Sequence, residues 1–352
     1  MNPMKTQHLV RVAGLALAIL TLNPQLSTCL AQGSLTPPGA PAPTMKTLAQ
    51  IEARTPISSA PFTISVPGSY YLTTNLTVSS GDAITIAASG VTLDLNGFTL
   101  SSTANPADGY GVRLNVSLSD ITIANGHIRG GVTNNAGTYG GPGFQYGIAF
   151  FSEAPLSTRV VGVTVSGCLY YGIYLSLGYS TVVESCTVRT VGSFGIVATT
   201  IKNSTAIDCG SRAIYGSQVS DCCGQSSGIG LMATTAQNCY GYSSSSGIGL
   251  YAETALNCYG YSNSSSSSGT GLYAETAQNC FGYSSSGTGL YATYTAIGCY
   301  GSSPSGPRGL YALSANTCVG YRTGGRAIEA TVANGCFAIS GTNFITYKYN
   351  MP

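Results

Sequence analysis

The chain has 352 residues, and only 7% of them are charged, whereas an average globular domain has about 25%. The Lys and Arg residues are not clustered, which argues against a nucleic-acid partner because binding to phosphate groups needs a basic patch. The hydrophobic residues make up 43% of the chain and are regularly spaced, which argues against disorder.

Residues 1–31 predict a signal peptide. Lys5 and Arg11 give a positive start, an apolar run covers residues 12–22, and Ala31 offers a small residue for cleavage. The run is too short to span a bilayer, so we expect a secreted or cell-surface protein with no transmembrane segment in the mature chain. A lipoprotein anchored at Cys29 is the less favoured alternative, because Thr28 stands where a smaller residue is usual.

Two short segments precede the first regular strands. Residues 32–44 are rich in proline and predict an extended linker. Residues 45–61 predict an N-terminal cap, because Met45, Leu48 and Ile51 recur at helical spacing until Pro56 stops the pattern. We expect this short helix to cover one end of the fold, since an open β-structure exposes unpaired backbone groups.

From residue 62 onward, apolar and polar residues alternate with a period of two, which is typical of strands. Asn96-Gly97 and Asn125-Gly126 each follow such a strand, where a corner requires a positive φ angle. Residues 111–130 predict one coil of three short strands, and the glycine-rich residues 131–145 predict a loop that leaves the coils.

Residues 228–336 contain six copies of one unit that begins with Leu or Ile and ends with Cys. The distance from the first residue to the Cys is eight residues in five copies and nine in the copy that contains Tyr294, whereas the distance from each Cys to the next copy varies from 10 to 14. A repeat in which one part has a nearly constant length and the connection to the next copy has a variable length is typical of a solenoid whose coils stack. We therefore predict a β-solenoid over residues 62–342, with regular Cys and Tyr coils at 163–338 and a closing strand at 343–352.

The strands that end in Asn-Gly, the coils of about twenty residues and the Asn-Cys corners resemble the parallel β-helix of the pectin-lyase-like superfamily. The segments Leu93-Asp-Leu-Asn-Gly and Gly68-Ser-Tyr-Tyr-Leu, with the proline-rich segment from Thr36, resemble secreted bacterial β-helix repeat proteins of unassigned function. The resemblance implies an all-β, single-stranded right-handed parallel β-helix with a short N-terminal capping helix. A left-handed hexapeptide solenoid is the rival, but a spacing of eight is not a multiple of six.

The inward positions of the repeat are small. Leu250, Ala252, Ala255 and Cys258 are predicted to point inward, above and below their equivalents in neighbouring coils about 4.8 Å away. We interpret the Cys column as unpaired, packed thiols, with disulfides between coils as the alternative in an oxidising compartment. The cysteines lack the C-x₂-C spacing of a zinc site and no His accompanies them, so we expect no metal and no cofactor.

The outward positions carry three further columns. Tyr251, Tyr273, Tyr291 and Tyr311 directly follow the inward Leu and are our predicted binding surface for a polysaccharide or a cell-surface component. Stacking of the rings on one another is the purely structural interpretation of the same column. The other two columns are a second set of aromatic residues, one after each Cys, and an amide ladder at the preceding corner: Tyr240, Tyr259, Phe281 and Tyr300; Asn238, Asn257 and Asn279.

The resemblance also implies an alternative function, as a polysaccharide lyase or glycoside hydrolase. Such enzymes need clustered acids and a basic residue, and the candidates on the coils from 94 to 129 are Asp94, Asp120, His127 and Arg129. The polygalacturonase and pectate-lyase signatures are absent from the sequence. The sequence therefore favours an exported β-helix that acts by surface contact, as an envelope, adhesive or glycan-binding element, over an enzyme.

Overall fold

A computed structural model describes residues 52–351, apart from 116, 117, 151, 179 and 266. The predicted signal peptide, the linker, and the Met45, Leu48 and Ile51 positions of the predicted capping helix lie outside the described residues. From Arg54 onward the chain forms one compact unit. The described residues contain no helix that is long and apolar enough to cross a membrane.

The regular structure of this unit consists mostly of short strands in the first half, whereas strands of about nine residues alternate with short ones in the second half. The first sixteen are β1 (Thr55–Ile57), β2 (Phe62–Ile64), β3 (Gly68–Leu72), β4 (Leu76–Val78), β5 (Ile84–Ile86), β6 (Val91–Asp94), β7 (Thr99–Ser102), β8 (Tyr110–Leu114), β9 (Ser119–Arg129), β10 (Thr133–Asn135), β11 (Thr138–Gly140), β12 (Tyr146–Phe150), β13 (Leu156–Cys168), β14 (Tyr171–Tyr174), β15 (Val182–Glu184) and β16 (Thr187–Val191). The others are β17 (Phe194–Lys202), β18 (Thr205–Cys209), β19 (Arg212–Ser220), β20 (Cys223–Ser226), β21 (Ile229–Gln237), β22 (Tyr240–Ser243), β23 (Ile248–Leu256), β24 (Tyr259–Ser262), β25 (Thr270–Gln278), β26 (Phe281–Ser284), β27 (Thr288–Ile297), β28 (Tyr300–Ser302), β29 (Arg308–Asn316), β30 (Val319–Asn334) and β31 (Phe337–Tyr349).

The coils stack in parallel, and each pairs with the coil before and the coil after it. Twenty-nine strands form one continuous hydrogen-bonded sheet, which bends at the corners of the coil into three faces. We number the faces by their order in one coil: Leu250–Ala252 lies on the first face, Thr254–Leu256 on the second and Tyr259–Ser262 on the third. Every pairing of these strands is parallel, and the register is kept over the repeats except where β27 contains one extra residue, so the predicted all-β solenoid is confirmed.

Asparagines hold the corner between the second and third faces. Six of them have φ angles between 47° and 59°, a conformation that Asn tolerates better than most residues: Asn96, Asn125, Asn203, Asn238, Asn257 and Asn279. Within the repeats, Asn257 Nδ2 donates a hydrogen bond to Asn238 Oδ1 at 3.2 Å, and Asn279 Nδ2 donates to Asn257 Oδ1 at 3.4 Å. The predicted amide ladder is confirmed, and Asp221 extends it, because its Oδ1 accepts from Asn238 Nδ2 at 3.0 Å.

The core narrows along the solenoid. The inward column of the third face shrinks from branched aliphatic side chains to glycine: Leu100, Ile128, Val165, Val188, Ala206, Gly224, Gly241, Gly260, Gly282, Gly301 and Gly320. The inward column of the second face shrinks in the same direction: Leu93, Ile123, Val160, Val183, Ile201, Val219, Ala236, Ala255 and Ala277. A Cβ atom on Gly260 would lie 2.2 Å from the carbonyl oxygen of Gly271, so glycine is required where the first and third faces meet in the late coils.

The cysteines are part of this narrow core. Leu250, Ala252, Ala255 and Cys258 are all buried, as predicted, and the eleven described cysteines are unpaired. The Cys258 thiol donates to the carbonyl oxygens of Leu256, at 3.2 Å, and Ala236, at 3.4 Å. Burial raises the pKa of the Cys168 thiol to about 12, which disfavours its thiolate. The prediction of packed, unpaired thiols is confirmed.

The segment predicted as a loop, residues 131–145, contains an ordered hairpin. Strands β10 and β11 pair antiparallel, and Tyr139 Oη donates to Asp208 Oδ1 at 3.0 Å while Asn134 Nδ2 donates to the same atom at 2.6 Å. Burial and the hydrogen bond to Asp208 raise the pKa of Tyr139. The strands lack the apolar-polar alternation of the coils because they lie outside the core, and the sequence pattern therefore did not reveal them.

The two ends of the described solenoid differ from its middle. At the N-terminal end, Thr55–Ile57 lies within the segment predicted as a cap and forms β1, which pairs with β3. At the C-terminal end, β31 includes most of the predicted closing strand and pairs with β30. Asn343 and Lys348 are in register with the inward residues Ile328 and Ala333, so polar side chains occupy core columns in the last coil.

Candidate binding face

The third face carries two parallel columns of aromatic side chains in the late coils. The motif Tyr-Gly-Tyr-Ser places a glycine inward and two rings outward, about 7 Å apart along the strand. Seven half-buried rings result, which we call the aromatic array: Tyr240, Tyr242, Tyr259, Tyr261, Phe281, Tyr283 and Tyr300. Because the intervening glycines flatten the coil, the array is a broad surface rather than a single ridge.

The rings of the array stack along the solenoid axis. In one column the ring centroids of Tyr242 and Tyr261 are 5.2 Å apart and those of Tyr261 and Tyr283 are 4.7 Å apart, with interplanar angles of 21° and 16°. In the other column Tyr259 is 4.7 Å from Phe281, and the rings are tilted by 59°. Stacking of this kind fixes the orientation of the rings before any ligand binds.

A groove of about 790 Å³ lies beside the array, along the corner that the asparagines form. Its walls include Tyr240 and Tyr259 on one side and Asn238 and Asn257 on the other. Each ladder amide uses one N–H and one oxygen lone pair along the column, and an amide has two of each. The groove therefore combines ring surface with side-chain donors and acceptors that face solvent.

The first face carries the tyrosine column that the sequence predicted as the binding surface. Tyr251, Tyr273, Tyr291 and Tyr311 form one file, in which successive centroids are 5.0, 5.0 and 4.5 Å apart. The first three rings are nearly parallel to one another, with interplanar angles of 5° and 4°. Arg308 lies over the ring of Tyr311, with 5.2 Å between the guanidinium carbon and the centroid. This column is one ring wide, and its role in binding stays a prediction.

Sequence reasoning missed half of the aromatic array. It identified the column that begins at Tyr240 but not the column of Tyr242, Tyr261 and Tyr283 two residues later. The signal was present in the repeated Tyr-Gly-Tyr-Ser and Phe-Gly-Tyr-Ser motifs, because residues two apart on a strand share a face.

Three phenols of the array, those of Tyr240, Tyr259 and Tyr261, have a raised pKa and stay protonated at neutral pH. Burial, followed by the charges of neighbouring tyrosines, raises the pKa of Tyr259 and of Tyr261. Burial raises the pKa of Tyr240 in the same way. The array can thus donate hydrogen bonds from its rim while it offers apolar ring faces.

The four catalytic candidates lie at different places on the coils. Asp94 ends a second-face strand, where its Oδ2 is 2.9 Å from Arg54 Nη1 and its Oδ1 accepts from the backbone N–H of Asn96 at 2.8 Å. Asp120 has a φ of 59° at the start of β9 and accepts from Ser119 Oγ at 3.0 Å.

His127 and Arg129, by contrast, share the third face on β9. His127 lies in register with Thr99 and Thr164, and Arg129 with Ser101 and Ser166. The structure therefore brings together His127 and Arg129, on the face that also carries the aromatic array, and places Asp94 and Asp120 beyond corners of the coil. A catalytic role for any of the four stays a prediction.

The described residues contain no group of three or more His, Cys, Asp or Glu side chains that could hold a metal ion. The described cysteines lie in the core, where thiols such as that of Cys258 bond to backbone carbonyls, apart from Cys223, which is half-buried on the third face.

A comparison with known families supports the fold. Residues 63–226 match the family model described as right handed beta helix region. No curated protein and no solved structure gives a significant match to the chain. The matched segment ends before the regular copies that carry the aromatic array, and the structure shows that the same coil continues through them.

Proposed function

The chain is a right-handed parallel β-helix repeat protein, and from this premise we propose that it acts by surface contact, binding a polysaccharide on the aromatic array of its third face. The observation that carries the proposal is the pair of aromatic columns that run side by side over the late coils. As an exported protein with the predicted signal peptide, it would meet polysaccharides outside the cell or at its surface.

The chemistry of the face suits an extended glycan. A sugar ring presents C–H groups on its faces and hydroxyls on its rim, so it needs flat apolar surface and nearby hydrogen-bonding groups together. The stacked rings supply the surface, and the Asn238 and Asn257 amides beside Tyr240 and Tyr259 supply the polar groups. Successive coils repeat this combination about every 4.8 Å, which favours a polymer over a small ligand.

The first-face column gives less support, because it is one ring wide. The half-buried Ile248 and Thr270 come three residues before Tyr251 and Tyr273. The exposed Glu253 and Glu275 come two residues after the same tyrosines. It offers a ridge with acidic side chains at its edge, whereas the third face offers two columns and a groove.

An enzyme with a site on the 94–129 coils also gains less support. A lyase or hydrolase needs an acid near its base or cation. Asp94 instead pairs with Arg54 on the second face, away from His127 and Arg129 on the third. The corresponding test is polysaccharide cleavage by the wild-type protein and by H127A and D94N, which should lose activity if the enzyme interpretation holds.

The binding proposal is tested with two matched triple variants. Y242S/Y261S/Y283S removes one column of the array, and Y251S/Y273S/Y291S removes three stacked rings from the first face. We expect the first variant to bind immobilised polysaccharide about tenfold more weakly or worse, since three ring contacts of about 0.5–1.5 kcal/mol each are lost. The second should bind as the wild type does.

Circular dichroism and thermal melting of both variants provide the control, because both lose three rings, with two stacked pairs lost on the third face and three on the first. Loss confined to the first-face variant would move the site to that column. Equal binding by all three proteins, on a panel where the wild type binds at least one glycan, would contradict a role for tyrosines on either face.

A further inference from the structure

The third face continues beyond the aromatic array toward the N-terminal end, where its character changes. The column of Tyr242 continues through Gln225 in the preceding coil. Further along the same face, Arg129, Ser166 and Arg189 stand in consecutive coils, in register with one another. The neighbouring outward column carries His127, Thr164 and Thr187 in the same three coils. One face thus has an aromatic half and a half with arginines and hydroxyls.

Among the described arginines, Arg129 and Arg189 have no ionic or aromatic partner, and only Arg322, in the long strand β30, shares this property. Arg54, Arg113 and Arg159 are paired with Asp94, Asp82 and Glu184. Arg308 and Arg326 both pair with Glu329, and Arg212 lies over the rings of Phe194 and Tyr215. In a chain with so few charges, two exposed cations on one column are a local concentration of positive charge.

The carboxylate nearest to these arginines on the third-face strands is already engaged. Asp208, on β18, accepts from Thr190 Oγ1 at 2.8 Å through one oxygen and from the hairpin residues Tyr139 and Asn134 through the other. Its hydrogen bonds therefore tie it to the hairpin rather than to Arg189. The two guanidinium groups keep their donors for a ligand.

The two arginines border a groove of about 440 Å³. Ser166 lies between them, Thr164 lies on the adjacent outward column, and Thr133 and Gly131 of the hairpin segment form a wall. Backbone hydrogen bonds fix this wall to the coils: Gly130 N donates to Ser166 O at 2.9 Å and Val132 N donates to Gly167 O at 3.2 Å. Two coils separate Arg129 from Arg189, about 10 Å between their Cα atoms, a gap that two long side chains can close over Ser166.

We propose that Arg129, Ser166 and Arg189 form an oxyanion subsite, which makes the ligand of the third face a polymer that carries carboxylate, sulfate or phosphate groups. This inference rests on the proposed function, because it assumes that a polymer lies along the third face. Guanidinium groups bind such oxyanions through paired N–H donors, and the Ser166 and Thr164 hydroxyls add further donors. Three coils, about 14 Å, separate Arg189 from Tyr242, so a chain of a few sugar units could contact both halves.

The test uses the full-length protein with four defined polymers. Polygalacturonate, dextran sulfate and a phosphomannan carry the three oxyanions, and unmodified dextran is the neutral polymer. The variant R129Q/R189Q removes both guanidinium groups, and K202Q/K348Q is the matched control, since it removes two exposed positive charges outside the arginine column. The variant R129K/R189K keeps the charge but loses the paired donors.

We expect R129Q/R189Q to weaken binding of at least one anionic polymer by about tenfold or more, as measured by affinity electrophoresis, because hydrogen bonds to charged groups are lost. R129K/R189K should lie between this variant and the wild type, and K202Q/K348Q should bind as the wild type does. Binding of the preferred polymer should weaken with added salt less steeply in R129Q/R189Q than in the wild type. The polymer with the largest difference identifies the oxyanion.

Equal losses in R129Q/R189Q and K202Q/K348Q would overturn the subsite, because they would show a nonspecific effect of net charge. Wild-type protein that binds dextran as tightly as every anionic polymer would overturn it as well. If Y242S/Y261S/Y283S loses binding while R129Q/R189Q does not, the aromatic platform stands and the subsite fails. If only R129Q/R189Q loses binding, the subsite stands and the proposed role of the array fails.

Discussion

The early and late coils share one backbone plan but fill it with different side chains. In the third-face inward column Leu100, Ile128 and Val165 give way to Ala206 and then to glycine. The first face keeps a large residue throughout, from Ile148 to Leu250 and Leu310. Consequently the coil narrows only at its second and third faces, and the third face lies closer to the first.

This difference accompanies a change in the outward side chains of the third face. A wide core is held together by inward aliphatic side chains, whereas a coil with Ala255 and Gly260 inward buries little apolar surface. The stacked outward rings add apolar contact that the thin core lacks. In the early coils the inward side chains bury enough apolar surface to hold the coil together. There the same outward positions are occupied by His127, Arg129 and Arg189.

The largest effect on stability should come from removing side-chain volume from the wide core of the early coils. Ile128 is 1% exposed, and I128A should lower the free energy of unfolding by about 2–5 kcal/mol, because it leaves a cavity that the surrounding coils cannot close. T92A, at an exposed outward position on a neighbouring coil, is the control and should change it by less than about 0.5 kcal/mol. Urea unfolding measures both, and a small loss for I128A would mean that the early coils are not held by their core.

Adding a side-chain atom to the core should lower the stability of the narrow late coils. G260A adds a Cβ that would lie 2.2 Å from the backbone oxygen of Gly271, so we expect a loss of about 1–3 kcal/mol from overpacking. G140A, on the hairpin, has open space around the added atom and should be nearly neutral. The comparison between thick and thin coils fails if the two alanine variants have equal stability in urea.

The smallest effect should come from the cysteine column. C258A removes a buried thiol whose hydrogen bonds go to the carbonyls of Ala236 and Leu256, and it should cost about 1 kcal/mol. Loss of a disulfide would cost about 2–5 kcal/mol, so the magnitude distinguishes packed thiols from bridges. Measurement with and without reductant is the control, and a reductant-dependent loss in the wild type would contradict the unpaired column.

Much of the fold could be read from the repeats, because a fixed spacing in sequence becomes a column in a parallel stack. The inward Leu250, Ala252 and Cys258, the outward file of Tyr251 and the amide ladder of Asn257 all follow from that rule. The hairpin could not be read in this way, since it occurs once and has no periodic pattern. The small inward residues of the repeats predicted a narrow core in the late coils, but the shrinkage of the third-face column to glycine appears only when early and late coils are placed in register.

The sequence by itself determined the solenoid, the residues that point inward and the positions of the corners, because these depend on local alternation and on repetition. The tertiary structure alone decided which side chains outside the repeated motifs come together from different coils. It paired Asp94 with Arg54, bound Asp208 to the hairpin and placed Arg129, Ser166 and Arg189 in one column. These contacts depend on how the coil closes at its corners and on which coils stack, and pairs separated by tens of residues leave no periodic trace in the chain.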